Sequence, residues 1–195
     1  FLKTSHEPYV IIASGDCVYK MDMNKLLEYH IEKNADITIV TKDLGRVDDP
    51  SRFGVVTVDS DGMVTEFEEK PIVTSKTLVS AGIYVIRRRQ LIEMVERAGE
   101  EDGFDLVKDI FIRYKGIKKI YAYAIDSYWS NITAVDSYFK TNMDFLNRET
   151  RDYFFNEYPQ ISSKIEDLPP AKYNVGSNVK NSLISSGCII NGEVK

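Results

Sequence analysis

The 195-residue chain is 43% hydrophobic, enough to bury one sizeable core, and it lacks the compositional bias of disordered or collagen-like sequences. Thirty acidic and twenty-five basic residues give a net charge of −5, and the basic residues are scattered except at 87–89, which excludes the basic surface that nucleic acid requires. The apolar runs are far shorter than the roughly 20 residues of a membrane span, and two distant cysteines predict neither a disulfide nor a zinc site, which fits a cytoplasmic protein.

The first predicted element is a buried strand, Tyr9–Ala13, which ends at Ser14-Gly15-Asp16, where glycine permits a tight turn. Asp22 is placed to cap a helix over 23–33, and a strand follows at 37–41. A strand, a helix and a second strand predict a largely parallel sheet, whose ligands gather at the carboxyl ends of the strands. Asp16 is therefore predicted to lie at a ligand-binding edge.

The middle of the chain predicts a mixed sheet. Strands at 54–59 and 63–68 are joined by Ser60-Asp61-Gly62, a hairpin signal, and a further strand covers 79–86. Helices are predicted near 89–97 and over 106–114, a strand over 119–125, and a helix over 134–146 capped by Thr133. We therefore predict one α/β domain over residues 1–146, with a mixed, mostly parallel sheet and helices on both faces.

The last fifty residues predict a connector and the start of a second domain. Three prolines break the periodicity of 147–173, which is typical of an interdomain connector. Residues 174–195 repeat with a period of six, as in a left-handed parallel β-helix, but contain too few repeats to bury a solenoid core. Both ends of the sequence are therefore expected to lie within domains. The positions six apart are Ile184 and Ile190, and Ser182, Cys188 and Val194.

Several side chains have two interpretations from the residues alone. Asp16 is either a carboxylate ligand for Mg²⁺ or an ordinary turn residue. Glu69-Lys70-Pro71 either binds sugar hydroxyls and a phosphate or forms a solvated, salt-bridged turn. Trp129 either packs against a sugar ring or fills the core, and Asp105 suits the start of a helix.

Seven motifs together resemble bacterial ADP-glucose pyrophosphorylases, the glucose-1-phosphate adenylyltransferases, in order and approximate spacing. The resemblance covers nearly the whole chain. The motifs are GDCVYKMD at 15–22, RFGVV at 52–56, FEEKP at 67–71, SAGIYV at 80–85, FDLVKD at 104–109, YW at 128–129 and LPPAKY at 168–173.

The resemblance implies a reaction and a set of site residues. That family joins glucose 1-phosphate to ATP, releases pyrophosphate and uses Mg²⁺. The roles it implies here are Glu69 for sugar hydroxyls, Lys70 for the phosphate, Ser80, Asp105 and Trp129 for the sugar, and Asp16 for the metal ion.

The chain also departs from the family pattern. Asn131 stands where catalytic members have a second metal-binding Asp, Cys17 stands where they have His, and Leu106-Val107 replaces Phe-Gly. The Gly-rich nucleotide loop and most of the β-helix are expected to be missing. These departures resemble the GlgD-type subunit of glycogen biosynthesis.

The departures predict a regulatory or weakly active protein that binds a sugar phosphate and partners a catalytic ADP-glucose pyrophosphorylase subunit. The alternative is an active nucleotidyltransferase for another sugar or nucleotide. A third hypothesis is an acyltransferase that uses the β-helix, but the sequence shows no signal of an acceptor site.

Overall fold

The computed structural model describes residues 1–45, 49–103, 105–162, 164 and 166–195. The chain forms two compact units, Phe1–Trp129 and Ser130–Lys195. Phe104, which opens one of the seven motifs, lies outside the described residues. The first unit contains, in chain order, β1 (Tyr9–Ala13), β2 (Cys17–Tyr19), α1 (Met23–Glu32), β3 (Ile37–Asp43), a 3₁₀ turn (Pro50–Arg52), β4 (Gly54–Val58), β5 (Val64–Glu69), β6 (Leu78–Arg87), α2 (Arg88–Glu100), a π-helical segment (Leu106–Ile112) and β7 (Ile120–Ala124).

A six-stranded mixed sheet organises the first unit, with β5, β4, β6, β3 and β7 in that order and β1 also paired with β6. The prediction of a mixed α/β sheet is confirmed, but its described strand pairs are mostly antiparallel and not mostly parallel as predicted. Four strands (β1, β3, β4 and β7) run in one direction, while β5 and β6 run in the other. Because β6 lies between β1 and β3, the parallel strands of the predicted βαβ unit are not neighbours, and β3 and β7 form the parallel pair among the described strands of this sheet.

Helices cover both faces of this sheet, as predicted. Side chains alternate along a strand, so Tyr84 and Ile86 of β6 join the core under α2, while Ile83 and Val85 join the core under α1. The buried Leu26 of α1 belongs to the second of these cores. The sheet is therefore the middle layer of the unit.

The structure confirms the predicted start of α1 and shows which of its side chains are buried. Asp22 Oδ1 accepts the Asn24 N–H at 2.9 Å, as expected of a capping aspartate. Leu26 and His30 are fully buried, whereas Ile31, which follows His30, is 51% exposed. The prediction that β1 is a buried strand was wrong, since Ile11 is 38% exposed and Ala13 is also exposed. Among the described strands β1 pairs only with β6, which leaves its other edge uncovered.

A bulge in β6 interrupts its pairing with β3. The register changes between the pairs Ile39–Tyr84 and Thr41–Ser80, which leaves extra residues on β6. Gly82 lies in this bulge with φ +76°, a conformation that residues with a Cβ rarely adopt. β1 meets the same point, since the Ser14 N–H donates to the Gly82 carbonyl at 2.8 Å.

β8 (Trp129–Asn131) spans the boundary between the units, and the second unit contains helices α3 (Val135–Asp144) and α4 (Arg148–Phe155). The prediction that Thr133 caps a helix was wrong: Ser137 Oγ accepts the N–H groups of Thr133 and Ala134 instead. Helix α4 lies inside the predicted connector, and its N-cap Asn147 accepts the Glu149 N–H at 2.9 Å.

Two short parallel pairs end the second unit, with β9 against β11 and β10 against β12. Two pairs do not form a solenoid, so the β-helix stays a prediction, as does the predicted division into residues 1–146, 147–173 and 174–195. Among the described helices, none combines the length and apolar character that a bilayer crossing requires. The four strands are β9 (Lys172–Tyr173), β10 (Asn178–Val179), β11 (Ile189–Ile190) and β12 (Glu193–Val194).

Candidate functional site

The hairpin of β4 and β5 ends at the predicted phosphate-binding segment. Glu69 pairs with Gly54 across the hairpin, and the Lys70 N–H donates to the Phe53 carbonyl at 3.1 Å. Lys70 has φ +49°, an uncommon conformation for a residue with a side chain. The hairpin pairing therefore holds Lys70 in a turn that directs the chain away from the sheet.

Glu69 and Lys70 are adjacent in sequence but differ in environment. The Glu69 side chain is 18% exposed and the Lys70 side chain 68% exposed, with Oε1 and Nζ 4.0 Å apart. Burial raises the pKa of Glu69, and the charge of Asp105 adds to this, while Lys70 and Lys108 oppose it. Glu69 is thus a sheltered acceptor for hydroxyl groups, and Lys70 is an exposed cation within reach of an anion.

Ser80 and Tyr84 form a buried hydroxyl pair on β6 beside this segment. Ser80 is 7% exposed, its Oγ lies 3.0 Å from the Tyr84 hydroxyl, and the Gly82 N–H donates to it at 3.3 Å. Burial raises the pKa of Tyr84 to about 12; the Ser80 hydrogen bond opposes this rise, whereas the charges of Glu69 and Asp105 add to it. Of the predicted sugar-binding residues, Ser80 therefore contacts the Tyr84 hydroxyl, and Glu69 and Asp105 lie near enough for their charges to raise its pKa.

Asp105 caps the π-helical segment, as the plain interpretation of its position predicts. Its Oδ1 accepts the N–H groups of Val107 at 2.9 Å and Lys108 at 3.0 Å. Its own N–H donates to Asp109 Oδ2 at 2.7 Å. Both capping bonds use Oδ1, so Oδ2 can still accept a sugar hydroxyl.

Asp16 lies in an exposed turn that is attached to the bulge of β6. The Ser14 hydroxyl donates to Asp16 Oδ1, and the Cys17 thiol lies 3.5 Å from the same oxygen. The Gly15 φ is not positive and a Cβ there would meet nothing within 4 Å, so the turn does not require glycine at this position, contrary to the sequence-based expectation. The glycine that the geometry requires is Gly82, where a Cβ would lie 2.9 Å from the Ser14 Cβ.

The donor set at Asp16 fits one kind of metal site. Among the described residues, no group of three or more His, Cys, Asp or Glu side chains is placed to hold a metal ion. One carboxylate suits a Mg²⁺ ion that is otherwise bound by substrate phosphates and water, and does not suit a cage made only of protein ligands. Asn131, the predicted replacement for a second carboxylate, ends β8 in the second unit.

Trp129 is fixed by two contacts within the first unit. Its Nε1–H donates to the Ala81 carbonyl at 3.2 Å, and its ring meets the Phe53 ring edge-on at a centroid distance of 5.4 Å. The Cys17 thiol lies 3.8 Å from the same Ala81 carbonyl. These contacts support the packing interpretation of Trp129, which is half-buried as a residue.

Three residues of this site received no individual role from the sequence. Tyr84 and Gly82 lie within the SAGIYV motif and Phe53 within RFGVV, but a motif does not show which side chain contacts which. The repeated hydroxyl residues at 80 and 84 of one predicted strand were a usable signal, because positions four apart lie on one face.

The comparisons with known proteins agree with the predicted resemblance. The family described as nucleotidyl transferase matches residues 1–148. Glucose-1-phosphate adenylyltransferases from Bacillus subtilis and Thermosipho melanesiensis are each 35% identical over the whole chain, and that of Bacillus mycoides is 38% identical over 98% of it. The matched segment is 52%, 47% and 52% of these proteins, so the chain spans about half the length of the curated relatives it matches.

Proposed function

The chain belongs to the nucleotidyl transferase family, and we therefore propose that it supplies the sugar-phosphate half of a subunit of glucose-1-phosphate adenylyltransferase. The observation that carries this proposal is the sheltered carboxylate of Glu69, 4.0 Å from the exposed cation of Lys70, in a neighbourhood whose charges also include Asp105 and reach the buried Ser80–Tyr84 hydroxyl pair. Acceptors for hydroxyl groups next to one cation suit a phosphorylated sugar. The relatives named for this activity support glucose 1-phosphate as that sugar.

In the proposed reaction, a phosphate oxygen of glucose 1-phosphate attacks the α-phosphorus of ATP. A new oxygen–phosphorus bond forms while the bond to the departing pyrophosphate breaks, and pyrophosphate leaves with the electron pair. Glu69 and Asp105 Oδ2 would accept hydrogen bonds from sugar hydroxyls, and Lys70 would donate to the attacking phosphate. Their contribution is positioning, which accounts for much of the catalysis of such transfers.

Mg²⁺ bound beside Asp16 would offset the negative charge of the phosphates. Asp16 and Ser80 are held by the same short stretch of β6, since Ser14 pairs with Gly82. The position of the Asp16 turn relative to the sugar-binding residues is thereby fixed.

We propose further that the subunit is regulatory or weakly active, as in GlgD-type proteins, and works beside a catalytic subunit. Three departures support this: Asn131 supplies no negative charge where catalytic members have Asp, Cys17 replaces His, and Leu106-Val107 replaces Phe-Gly. An active enzyme for another sugar or nucleotide is the second candidate, supported by Glu69, Lys70, Ser80 and Asp105, which the chain retains.

Calorimetry with glucose 1-phosphate tests the binding proposal. Lys70→Ala should lower the affinity about tenfold or more, because a charge-assisted bond to phosphate contributes about 1.5–3 kcal/mol. Lys76→Ala is the matched control: Lys76 is a nearby exposed lysine whose Nζ pairs with Glu66 and Glu68, outside the site. Equal effects of the two substitutions, or no binding of any sugar phosphate by the wild type, would contradict the proposal.

Pyrophosphate release separates the regulatory from the active candidate. In the natural gene product that contains this sequence, we expect little turnover without a partner and an increase on Asn131→Asp. Vigorous Mg²⁺-dependent turnover by the unaltered protein alone would support the active candidate instead.

A further inference from the structure

Phe53 contacts both Lys70 and Trp129. Its carbonyl oxygen accepts the Lys70 N–H at 3.1 Å, and its half-buried ring meets the Trp129 ring edge-on, at 5.4 Å and 68°. Both contacts lie within the first compact unit. Phe53 therefore joins the end of the β4–β5 hairpin to the strand that follows β7.

The backbone contact restrains Lys70 in a conformation that it would not adopt by itself. A residue with a Cβ persists at positive φ only where its surroundings hold it there. The Phe53 carbonyl continues the pairing of β4 with β5 by one residue and so fixes the turn at Lys70. The direction of the lysine side chain thus depends on the position of Phe53.

The ring contact extends this restraint to Trp129 and β6. Trp129 is anchored at its other end by the hydrogen bond to the Ala81 carbonyl, one residue from Ser80. The edge-on geometry is a favoured one for two aromatic rings, so displacement of one ring changes the position that the other ring prefers. A continuous set of contacts therefore runs from Lys70 through Phe53 and Trp129 to the strand that carries Ser80.

We propose that Phe53 is a positioning residue of the sugar-phosphate site, which holds Lys70 and Trp129 in one arrangement and transmits ligand binding at Lys70 to Trp129. This inference rests on the proposed function, because it requires a sugar phosphate at Glu69 and Lys70. A ligand that binds Lys70 shifts the Lys70 backbone and, through the hydrogen bond, the Phe53 carbonyl. The contact between the Phe53 ring and the Trp129 indole then changes.

The chain has a single tryptophan, so tryptophan emission reports on the surroundings of Trp129, which include the Phe53 ring. Glucose 1-phosphate is titrated into the full chain by calorimetry and, in parallel, by Trp129 emission. In the wild type both signals should saturate together. Phe53→Leu keeps the carbonyl but removes the ring, so we expect it to abolish most of the emission change and weaken binding about three- to tenfold.

Two further variants control for structure. Phe53→Tyr keeps the ring and should retain the emission change, and Phe155→Leu, which alters an exposed ring of the second unit, should leave both signals unchanged. Circular dichroism establishes that each variant is folded, and a Phe53→Leu chain that does not fold is replaced by Phe53→Met.

Binding heat without any emission change would overturn this inference and leave the proposed function intact. An equal emission change in wild type and Phe53→Leu would also overturn it, because the ligand would then contact Trp129 directly. Absence of binding heat would overturn the proposed function and this inference with it.

Discussion

Substitution of Gly82 by alanine should destabilise the first unit and displace the Asp16 turn. At φ +76° a residue with a Cβ costs about 1–2 kcal/mol. The new Cβ would also lie 2.9 Å from the Ser14 Cβ, and such overpacking adds about 1–3 kcal/mol. We therefore expect a loss of about 2–5 kcal/mol, which leaves a domain in the middle of the typical range of about 5–15 kcal/mol still folded.

Urea unfolding followed by Trp129 emission measures this loss, because Trp129 belongs to the first unit. With a slope of about 2 kcal/mol per M, the midpoint should fall by about 1–2.5 M. Gly15→Ala is the matched control in the same turn, since its Cβ meets nothing and its φ is not positive, and it should stay within about 0.5 kcal/mol of wild type. Equal midpoints for the two variants would refute the reasoning about the bulge.

Three further changes test other parts of the structure. Gly54→Ala should weaken glucose 1-phosphate binding in calorimetry. The new Cβ would lie 2.6 Å from the Phe67 ring and 2.9 Å from Glu69 Oε2, so Glu69 must move. Unchanged affinity would show that Glu69 can move without loss of binding. Burial, and then the charge of Arg87, lowers the pKa of His30 from 6.5 to about 4. The folded protein therefore keeps His30 neutral. The free energy of unfolding should fall by about 3 kcal/mol as the pH drops from 6.5 to 4. In pH-dependent unfolding this loss should persist in His6→Gln and largely disappear in His30→Gln; equal curves would exclude His30 as its source. Lys42→Met removes the bonds from Nζ to the carbonyls of Asp126 and Ser127, both 2.9 Å, and should lower the fluorescence anisotropy of Trp129; an unchanged value would mean that other contacts hold this loop.

The order of helices and strands could be predicted from sequence wherever local chemistry decides it. Asp22 caps α1, and Ser60-Asp61-Gly62 joins β4 to β5, because capping and turn formation act over a few residues. The capping of α3 was misassigned to Thr133, since the N-cap is Ala134 and Ser137, in the first turn of the helix, accepts the N–H groups of Thr133 and Ala134. Two hydroxyl residues so close in sequence cannot be distinguished without the backbone geometry.

The neighbours of each strand could not be predicted from local patterns. Tyr9–Ala13 has the apolar composition of a buried strand, but β6 covers one of its edges and Ile11 remains exposed. That outcome depends on a partner strand far along the chain. The same limit applies to Gly82: its motif marks a glycine, but only the pairing with Ser14 explains why a larger residue does not fit.

The sequence predicted which residues belong to the candidate site but not how they are arranged in space. Motifs identified Glu69, Ser80 and Asp105, and the structure adds the hydroxyl of Tyr84, which lies 3.0 Å from Ser80 Oγ and whose pKa is raised by the charges of Glu69 and Asp105. Which of two interpretations applies to each residue depends on burial, since Glu69 is sheltered and Lys70 is not. Burial is a property of the packed unit, which a short motif does not encode.

The central position of β6 also determines when this site can form. Ala13 pairs with Ile83 about seventy residues later in the chain, and Thr41 pairs with Ser80. Contacts of such sequence separation form slowly, because a long loop must close before they can form. During synthesis the turn at Asp16 therefore stays unattached until β6 has left the ribosome, and it is then aligned with Ser80 in the same pairing event.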